Sequence, residues 1–252
     1  MDLVNDRQIH GTGTSESAWL PWLQEQRIQS VSMNDLCPGK ARLVIVAPHP
    51  DDEILACGGL LAMRAERGLP SLVIAVTNGE ASHGTVDPVA CALLGERRVA
   101  ESRAGLKALG VAPECTVRLG IPDGEAAHMI PDIALGLLLL LKRDDVVLTT
   151  WGLDGHPDHE AVSAATRQAM TTSGCSLLEA PVWMWHWASP DDVRIPWSRL
   201  VALGLPESAR KAKQDALSRH QSQLEERGEG QGPVLVPSIM ERAARSQEYF
   251  FR

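Results

Sequence analysis

His49, Asp51, Asp52 and Glu53 lie within Pro48-His49-Pro50-Asp51-Asp52-Glu53. His156, Asp158 and His159 lie within Trp151-Gly152-Leu153-Asp154-Gly155-His156-Pro157-Asp158-His159-Glu160. Imidazole nitrogens and carboxylate oxygens are ordinary donors to a divalent cation. In the first run, one aspartate can bind a metal while its neighbour faces a water beside it, because adjacent residues of a turn point in different directions. In the second, a helix start can turn both imidazoles toward one point. One His–Asp pair plus one further His makes three protein ligands. Three ligands and an open fourth position are the pattern of a catalytic zinc site. Taken singly, the acidic run reads as a solvated turn and each histidine as hydrogen-bonded. Their occurrence at two similar turns weighs against both plain readings.

The flanking segments say how these groups are positioned. Leu43 to Ala47 is apolar without alternation, which predicts a fully buried strand. Pro48 and Pro50 end it and stiffen the turn. A helix follows, with Ile54, Leu55, Ala56 and Leu60 on it and its body over Cys57 to Gly68. Val146 to Thr150 is a second buried run, and Pro157 suits the first position of a helix reaching Thr172. Asp158 and Glu160 then fall in its first turn, His156 near its N-cap and His159 one step inside. Turns at the carboxyl ends of parallel strands are where open α/β sheets place their ligands.

With both motifs in hand, the chain resembles the PIG-L/LmbE-like N-acetylglucosaminyl deacetylases, which are zinc-dependent. The resemblance runs from about Leu43 to the C-terminus and rests on the two motifs together. It implies His49, Asp52 and His159 as metal ligands and Asp51 as general base. It assigns His156 to proton donation or oxyanion stabilisation, and Asp158 to orienting and tuning a histidine. It implies one Zn2+ per chain, and two histidines with a carboxylate suit Fe2+ as well. For the substrate it points to Arg98, in a charged helix read over Gly95 to Leu109, and to Asp123, in the turn Gly120-Ile121-Pro122-Asp123-Gly124. The plain readings are a solvated helix face for the first and turn chemistry for the second.

One departure stands out. Some relatives carry a tyrosine two residues before the first His of the second motif, whereas this chain has Asp154 there and its only tyrosine is Tyr249. A carboxylate would repel an oxyanion, so Asp154 is expected to contact sugar hydroxyls or a basic residue.

Elsewhere the patterns are structural. Ser15 to Gln29 reads as an amphipathic helix with Trp19, Leu20, Trp22 and Leu23 on its apolar side, Leu72 to Thr77 as a buried strand, and Thr116 to Leu119 as another. Ile133 to Leu141 is too short to span a bilayer and reads as a helix covering the sheet. Trp183, Trp185 and Trp187 alternate with period two, which predicts a strand, and one of these rings is a candidate to line a sugar site. His83 reads as a loop histidine. Glu207 to Arg227 reads as one charged helix containing Lys211, Leu217, His220 and Gln223; it resembles the family's late Lys…His-x-Ser-Gln segment, with a structural role. Gly228 to Pro233 reads as a glycine-rich loop and Met240 to Phe251 as a terminal helix.

These readings make the 252 residues one Rossmann-like α/β domain, with a mostly parallel sheet flanked by helices. Residues 1–38 form an N-terminal helical extension and 206–252 a C-terminal helical segment. No GxGxxG follows the first strand, so no dinucleotide site is expected. The net charge of −8 argues against nucleic-acid and anionic-membrane partners. Five scattered cysteines form no CxxC, which fits a reducing cytoplasm, and the polar N-terminus has no signal-peptide pattern. Oligomeric state stays open, a homo-oligomer included. The expected activity is hydrolysis of a linear amide, removing an N-acetyl or N-acyl group from an N-acetylglucosamine-like sugar or glycoconjugate. The alternatives are an amidase acting on a thiol-linked pseudodisaccharide conjugate and a sugar-binding module without turnover.

Overall fold

The computed structural model describes residues 7–227 and 230–252. Two residues of the expected glycine-rich loop, Gly228 and Glu229, and the first six residues of the chain lie outside them. Helix α1 (Glu16–Glu25) leads into strand β1 (Gln29–Val31) and the single turn α2 (Met33–Leu36). Then β2 (Leu43–Ala47), α3 (Asp52–Glu66), β3 (Ser71–Thr77), α4 (Pro88–Ala108), β4 (Thr116–Ile121), α5 (Ile130–Leu140), β5 (Val146–Thr150) and α6 (Pro157–Ser173) alternate. The remainder is β6 (Ser176–Ala180), α7 (Met184–Trp187), β7 (Leu200–Gly204), α8 (Glu207–Ser218), α9 (Gln221–Leu224), α10 (Pro237–Ala243) and β8 (Gln247–Phe251).

All eight strands join one sheet in the order β1-β7-β8-β6-β5-β2-β3-β4. Every pairing is parallel except those of β8 with β6 and β7. The chain runs from β2 outward to β3 and β4, then returns to β5 on the other side of β2. That reversal opens a crevice at the carboxyl ends of β2 and β5, where such sheets bind ligands. In register, Val46 faces Ile74 of β3 and Thr149 of β5, so the exit turns of all three strands begin at one level.

The apolar run of β2 is continuous because the sheet is covered on both faces. Leu43 and Ile45 pack into a core with Ile54, Leu60 and Phe250, while Val44 and Val46 pack into another with Ile133, Leu137 and Val162. On α5 only Ile133, Ala134 and Leu137 are buried, and Leu135, Leu138 and Leu139 are exposed, so this greasy helix covers the sheet with one face only. A third core gathers Trp19, Trp22, Trp151, Trp185 and Phe251 under α1.

Several elements depart from the patterns read in the sequence. The tryptophan run is the helical turn α7, not a strand. The backbone N–H groups of Val182, Trp183 and Met184 all donate to the Asp154 carboxylate at 2.9, 3.0 and 2.9 Å, which turns the chain and removes them from ladder pairing. The terminal segment is a helix only to Ala243. Gln247 to Phe251 then form β8, and its rings Tyr249, Phe250 and Phe251 alternate between the two cores on either side of the sheet. The N-terminal extension likewise contributes a strand, β1, beside β7. Helix α4 starts at Pro88, capped by Asp87, seven residues before Gly95. The charged segment from Glu207 breaks after Ser218, and its buried lysine is Lys213, not the exposed Lys211.

Lys213 has a task in α3. That helix is interrupted at Cys57 (φ −150°, ψ 27°). Glu248 accepts from the N–H of Gly59 and Leu60 at 2.7 and 2.9 Å, capping the second half as an N-terminal carboxylate does. Lys213 Nζ bonds Glu248 at 2.8 Å and the Leu55 carbonyl at 3.0 Å, bridging the break. Removing one partner of a buried pair strands the other charge. Lys213→Met should therefore lower unfolding free energy by about 3–5 kcal/mol in denaturant titration; an unchanged midpoint would contradict this bridging role.

Candidate metal and active site

The first motif turn is pinned to the end of β3, because Thr77 donates its N–H and hydroxyl to the Pro48 carbonyl at 3.0 and 2.9 Å. His49 follows, and its N–H and Nδ1 approach Asp52 Oδ2 at 2.9 and 3.2 Å. Asp51 sits at φ 151°, ψ −26°, a backbone region that L-residues avoid. Its N–H donates to Glu53 Oε2 at 3.0 Å, and Glu53 Oε1 accepts from the Ser102 hydroxyl at 2.9 Å. Glu53 is buried away from the crevice, so its job is to hold the strained Asp51 backbone.

The second motif turn brings the other half. His156 is the N-cap of α6 and accepts the Asp158 N–H on Nδ1 at 3.2 Å. His159 is fully buried. Its Nδ1 meets Asp154 Oδ2 at 2.8 Å, and its Nε2 lies 3.2 Å from Asp52 Oδ2. Ring centroids stand 4.8 Å apart for His49–His156, 5.3 Å for His49–His159 and 4.9 Å for His156–His159. Ligand atoms of these three histidines lie within 4.8 Å of one another, and so do those of His49, Asp123 and Asp158.

The residues fit a divalent cation. His159 Nε2 is buried without a hydrogen bond, although Asp52 Oδ2 is only 3.2 Å away, so the pair is close but misaligned for a proton between them. A ring nitrogen of each of His159 and His49 meets carboxylates: His159 Nδ1 meets Asp154, and His49 Nε2 meets Asp158 and Asp123 at 3.1 and 3.2 Å. Such partners fix the ring orientation of metal-binding histidines. Burial opposes protonation of His159, but Asp52 and Asp154 outweigh it and raise its pKa to about 9. A bound cation would take that proton's place.

The remaining groups divide the work differently from the sequence reading. Asp154 does not reach a sugar. It is fully buried and spends both oxygens on His159 and three backbone N–H groups, so of its two expected contacts the basic residue is the one found. Asp158 does hold a histidine, but through its carboxylate that histidine is His49; it also accepts from the N–H of Gly124 and Ala126. Arg98 lines the crevice and is committed to protein groups, donating to the carbonyls of Gly79 and Pro50 and to Asp51 Oδ2 at 3.1 Å. Asp123 lines it too, with Oδ2 accepting from Ala81. Burial raises the Asp51 pKa to about 7 against the opposing charge of Arg98. Burial, with His159 and His49 nearby, pushes His156 down to about 3. A neutral His156 that accepts on Nδ1 carries its proton on Nε2 and is a hydrogen-bond donor.

His49, Asp51, Asp52, Arg98, Asp123, His156 and Asp158 border a cavity of about 340 Å³. Its other walls carry Ser82, Trp183, Gln223, Arg227 and Leu235, none of which stood out as a single site residue in the sequence. Trp183 stacks over His156 at 6.5 Å, so it is the ring of its cluster that reaches the site. His186 instead bonds the His10 carbonyl, and His83 bonds the Ser222 carbonyl. Gly79 lies beside Arg98 at the rim of this site. It has φ +69°, and a Cβ there would sit 1.9 Å from Arg98 Nη1. Gly79→Ala should displace Arg98 from Asp51 and lower kcat by about 10²-fold, as misplacement near 1 Å can do, with metal content unchanged. Steady-state kinetics beside metal analysis checks this, and wild-type kcat would contradict it.

Among the described residues no helix is long and apolar enough to cross a membrane. The family profile for GlcNAc-PI de-N-acetylase, PIG-L, matches residues 44–170, which include both motif turns. The chain is 29% identical to the 1D-myo-inositol 2-acetamido-2-deoxy-alpha-D-glucopyranoside deacetylase of Mycobacterium sp. (strain KMS), over 84% of this chain and 82% of that protein. Among solved structures it resembles a conserved protein of Thermus thermophilus, with TM-score 0.60 and 23% identity over 83% of this chain and 93% of that one. It also resembles the N,N'-diacetylchitobiose deacetylase of Pyrococcus horikoshii, with TM-score 0.57 and 18% identity over 84% and 80%. At these identities the structural likenesses speak to the fold. The fold, the paired motif turns and the profile match agree, and the chain belongs to the PIG-L family.

Proposed function

We propose that the protein is a metal-dependent hydrolase that removes the N-acetyl group from an N-acetylglucosamine-type amino sugar. The observation that carries this reading is the convergence of His49 and His159 on Asp52, each at 3.2 Å, with Asp51 and His156 beside them on the cavity wall. His49, Asp52 and His159 would hold the cation, and two histidines with a carboxylate are a donor set that suits zinc. When bound, the metal supplies Lewis acidity for the amide carbonyl and for water.

The chain's own groups do the rest. Asp51, aimed by Arg98 and by its constrained backbone, takes the proton of the attacking water. The His156 Nε2–H donates to the carbonyl oxygen as negative charge develops there. Asp51 then returns its proton to the leaving amine. Asp154, Asp158 and Asp123 hold the two ligand histidines in place. Trp183 offers an aromatic face to the sugar ring, and Asp123 keeps lone pairs for a hydroxyl.

The test is acetate release by zinc-loaded protein from a panel of N-acetyl amino sugars. The panel starts with N-acetylglucosamine and its inositol glycoside, in view of the substrate for which the mycobacterial relative is named. Stoichiometric acetate and free amine are expected. Sugar binding without acetate would replace this reading with a binding module, and release of a larger acyl group alone would replace it with an amidase.

A further inference from the structure

A side-chain carbonyl of a residue on the cavity wall has no hydrogen-bond partner among the described residues. Gln223 lines the cavity and its side chain is completely buried. Its Nε2 donates to Ser222 Oγ at 3.0 Å and approaches Ser82 Oγ at 3.4 Å. Its Oε1 has no hydrogen-bond donor among the described residues. The amide cannot be turned over to mend this. The single hydroxyl proton of Ser222 goes to Glu101 Oε2 at 2.5 Å, so toward Gln223 the Ser222 oxygen can only accept. Glu101 is itself fixed by the Ser222 N–H at 2.8 Å and by Arg97 at 3.1 Å. A chain of bonds from α4 through Ser222 thus sets the rotation of the Gln223 amide. The backbone is held as well, since the Gln223 carbonyl accepts from the Leu235 N–H at 2.9 Å.

Buried carbonyl oxygens are rarely left without a donor. None is supplied by the described residues, and Gln223 lines the cavity, so an occupant of the cavity can supply the missing donor. We propose that Gln223 is a specificity residue whose Oε1 accepts a hydrogen bond from a hydroxyl of the bound amino sugar, with Glu101 and Ser222 as its positioning residues. The proposal rests on the amino-sugar reading of the cavity. It gives the late His220-x-Ser222-Gln223 segment, which sequence alone marks as structural, a direct part in substrate choice. Amino sugars presenting a donor at that point are selected, and an analogue lacking it leaves the Gln223 carbonyl buried and unpaired, a strong basis for discrimination.

The experiment measures equilibrium binding, not turnover. Zinc-loaded Asp51→Asn serves as the parent, titrated by calorimetry with N-acetylglucosamine and its 3-, 4- and 6-deoxy analogues. Gln223→Met, of similar length and lacking the acceptor, is added to that background, with thermal melting to confirm folding. The expected result is that Gln223→Met binds N-acetylglucosamine roughly 3- to 10-fold more weakly, the range of one hydrogen bond. One deoxy analogue should bind the parent equally weakly and lose nothing further in Gln223→Met. Ser222→Ala frees the amide and should shrink the penalty for that same analogue, which a merely structural role would not do selectively. Undiminished binding by Gln223→Met overturns the proposal, as do deoxy penalties that are the same in both proteins, or a parent that does not bind N-acetylglucosamine. If the Met variant does not fold, an unaltered deoxy profile in Ser222→Ala overturns it instead. Absence of acetate release by the wild type, with this binding pattern intact, would count against hydrolysis alone.

Discussion

Asp51→Asn keeps its metal and its fold but loses turnover by roughly 10²–10⁴-fold, the contribution of a positioned general base. The carboxylate sits beside Asp52 without being needed to complete a ligand set, and Arg98 Nη2 holds Oδ2 at 3.1 Å. Asparagine matches the shape, and the Asp51 N–H bond to Glu53 that holds the turn at φ 151° is a backbone bond the substitution keeps. Only the proton acceptor is lost. Acetate-release kinetics paired with metal analysis makes the measurement, and a near-normal rate would show that another group takes the proton. Glu53 is a poor substitute, since the Asp51 N–H and the Ser102 hydroxyl occupy its two oxygens.

His159→Ala and His156→Ala should part company. In His159→Ala the buried Nε2 that faces Asp52 is gone, the ligand set falls to two, and metal and activity are lost together. In His156→Ala the carboxylate-supported histidines His49 and His159 remain, so metal stays bound while kcat falls by about 10²–10³-fold, as for a lost oxyanion donor. The contrast is read by metal stoichiometry after gel filtration in buffer with a weak chelator. Loss of metal from His156→Ala would make His156 a ligand and reverse the division between the two histidines. The three ring centroids are close to equidistant, so ring spacing alone would permit either outcome. The difference lies in Asp52, which approaches His49 and His159 at 3.2 Å each.

The parts legible in the sequence were those where one local rule governs. Leu43 to Ala47 and Val146 to Thr150 are apolar without a break because both faces of the sheet are covered, and their ends match β2 and β5. Pro157 announces the start of α6 through its fixed φ and missing N–H. What resisted reading depends on distant partners. The period-two tryptophans are helical because Asp154, about thirty residues earlier, gathers their N–H groups. Asp154 itself looked like a substrate group because nothing near it in the chain reveals that His159 and α7 consume its carboxylate. The terminal aromatic strand β8 contains too few alternations to stand apart from the helix before it, and it forms because β6 and β7 leave a space between them. Arg98 and Glu53 follow the same logic: one carries charge on a helix and the other ends an acidic run, and only the fold shows that both act on Asp51.

The most direct test of the account is one sample followed through removal and return of its metal. Purified protein should carry one divalent cation per chain and release acetate from an N-acetyl amino sugar. Dialysis against a chelator should abolish both, and stoichiometric zinc should restore both in proportion. The His49→Ala variant, lacking the ligand at the end of β2, should recover neither. Acetate release that survives complete metal removal would contradict the account, and so would full zinc occupancy in His49→Ala.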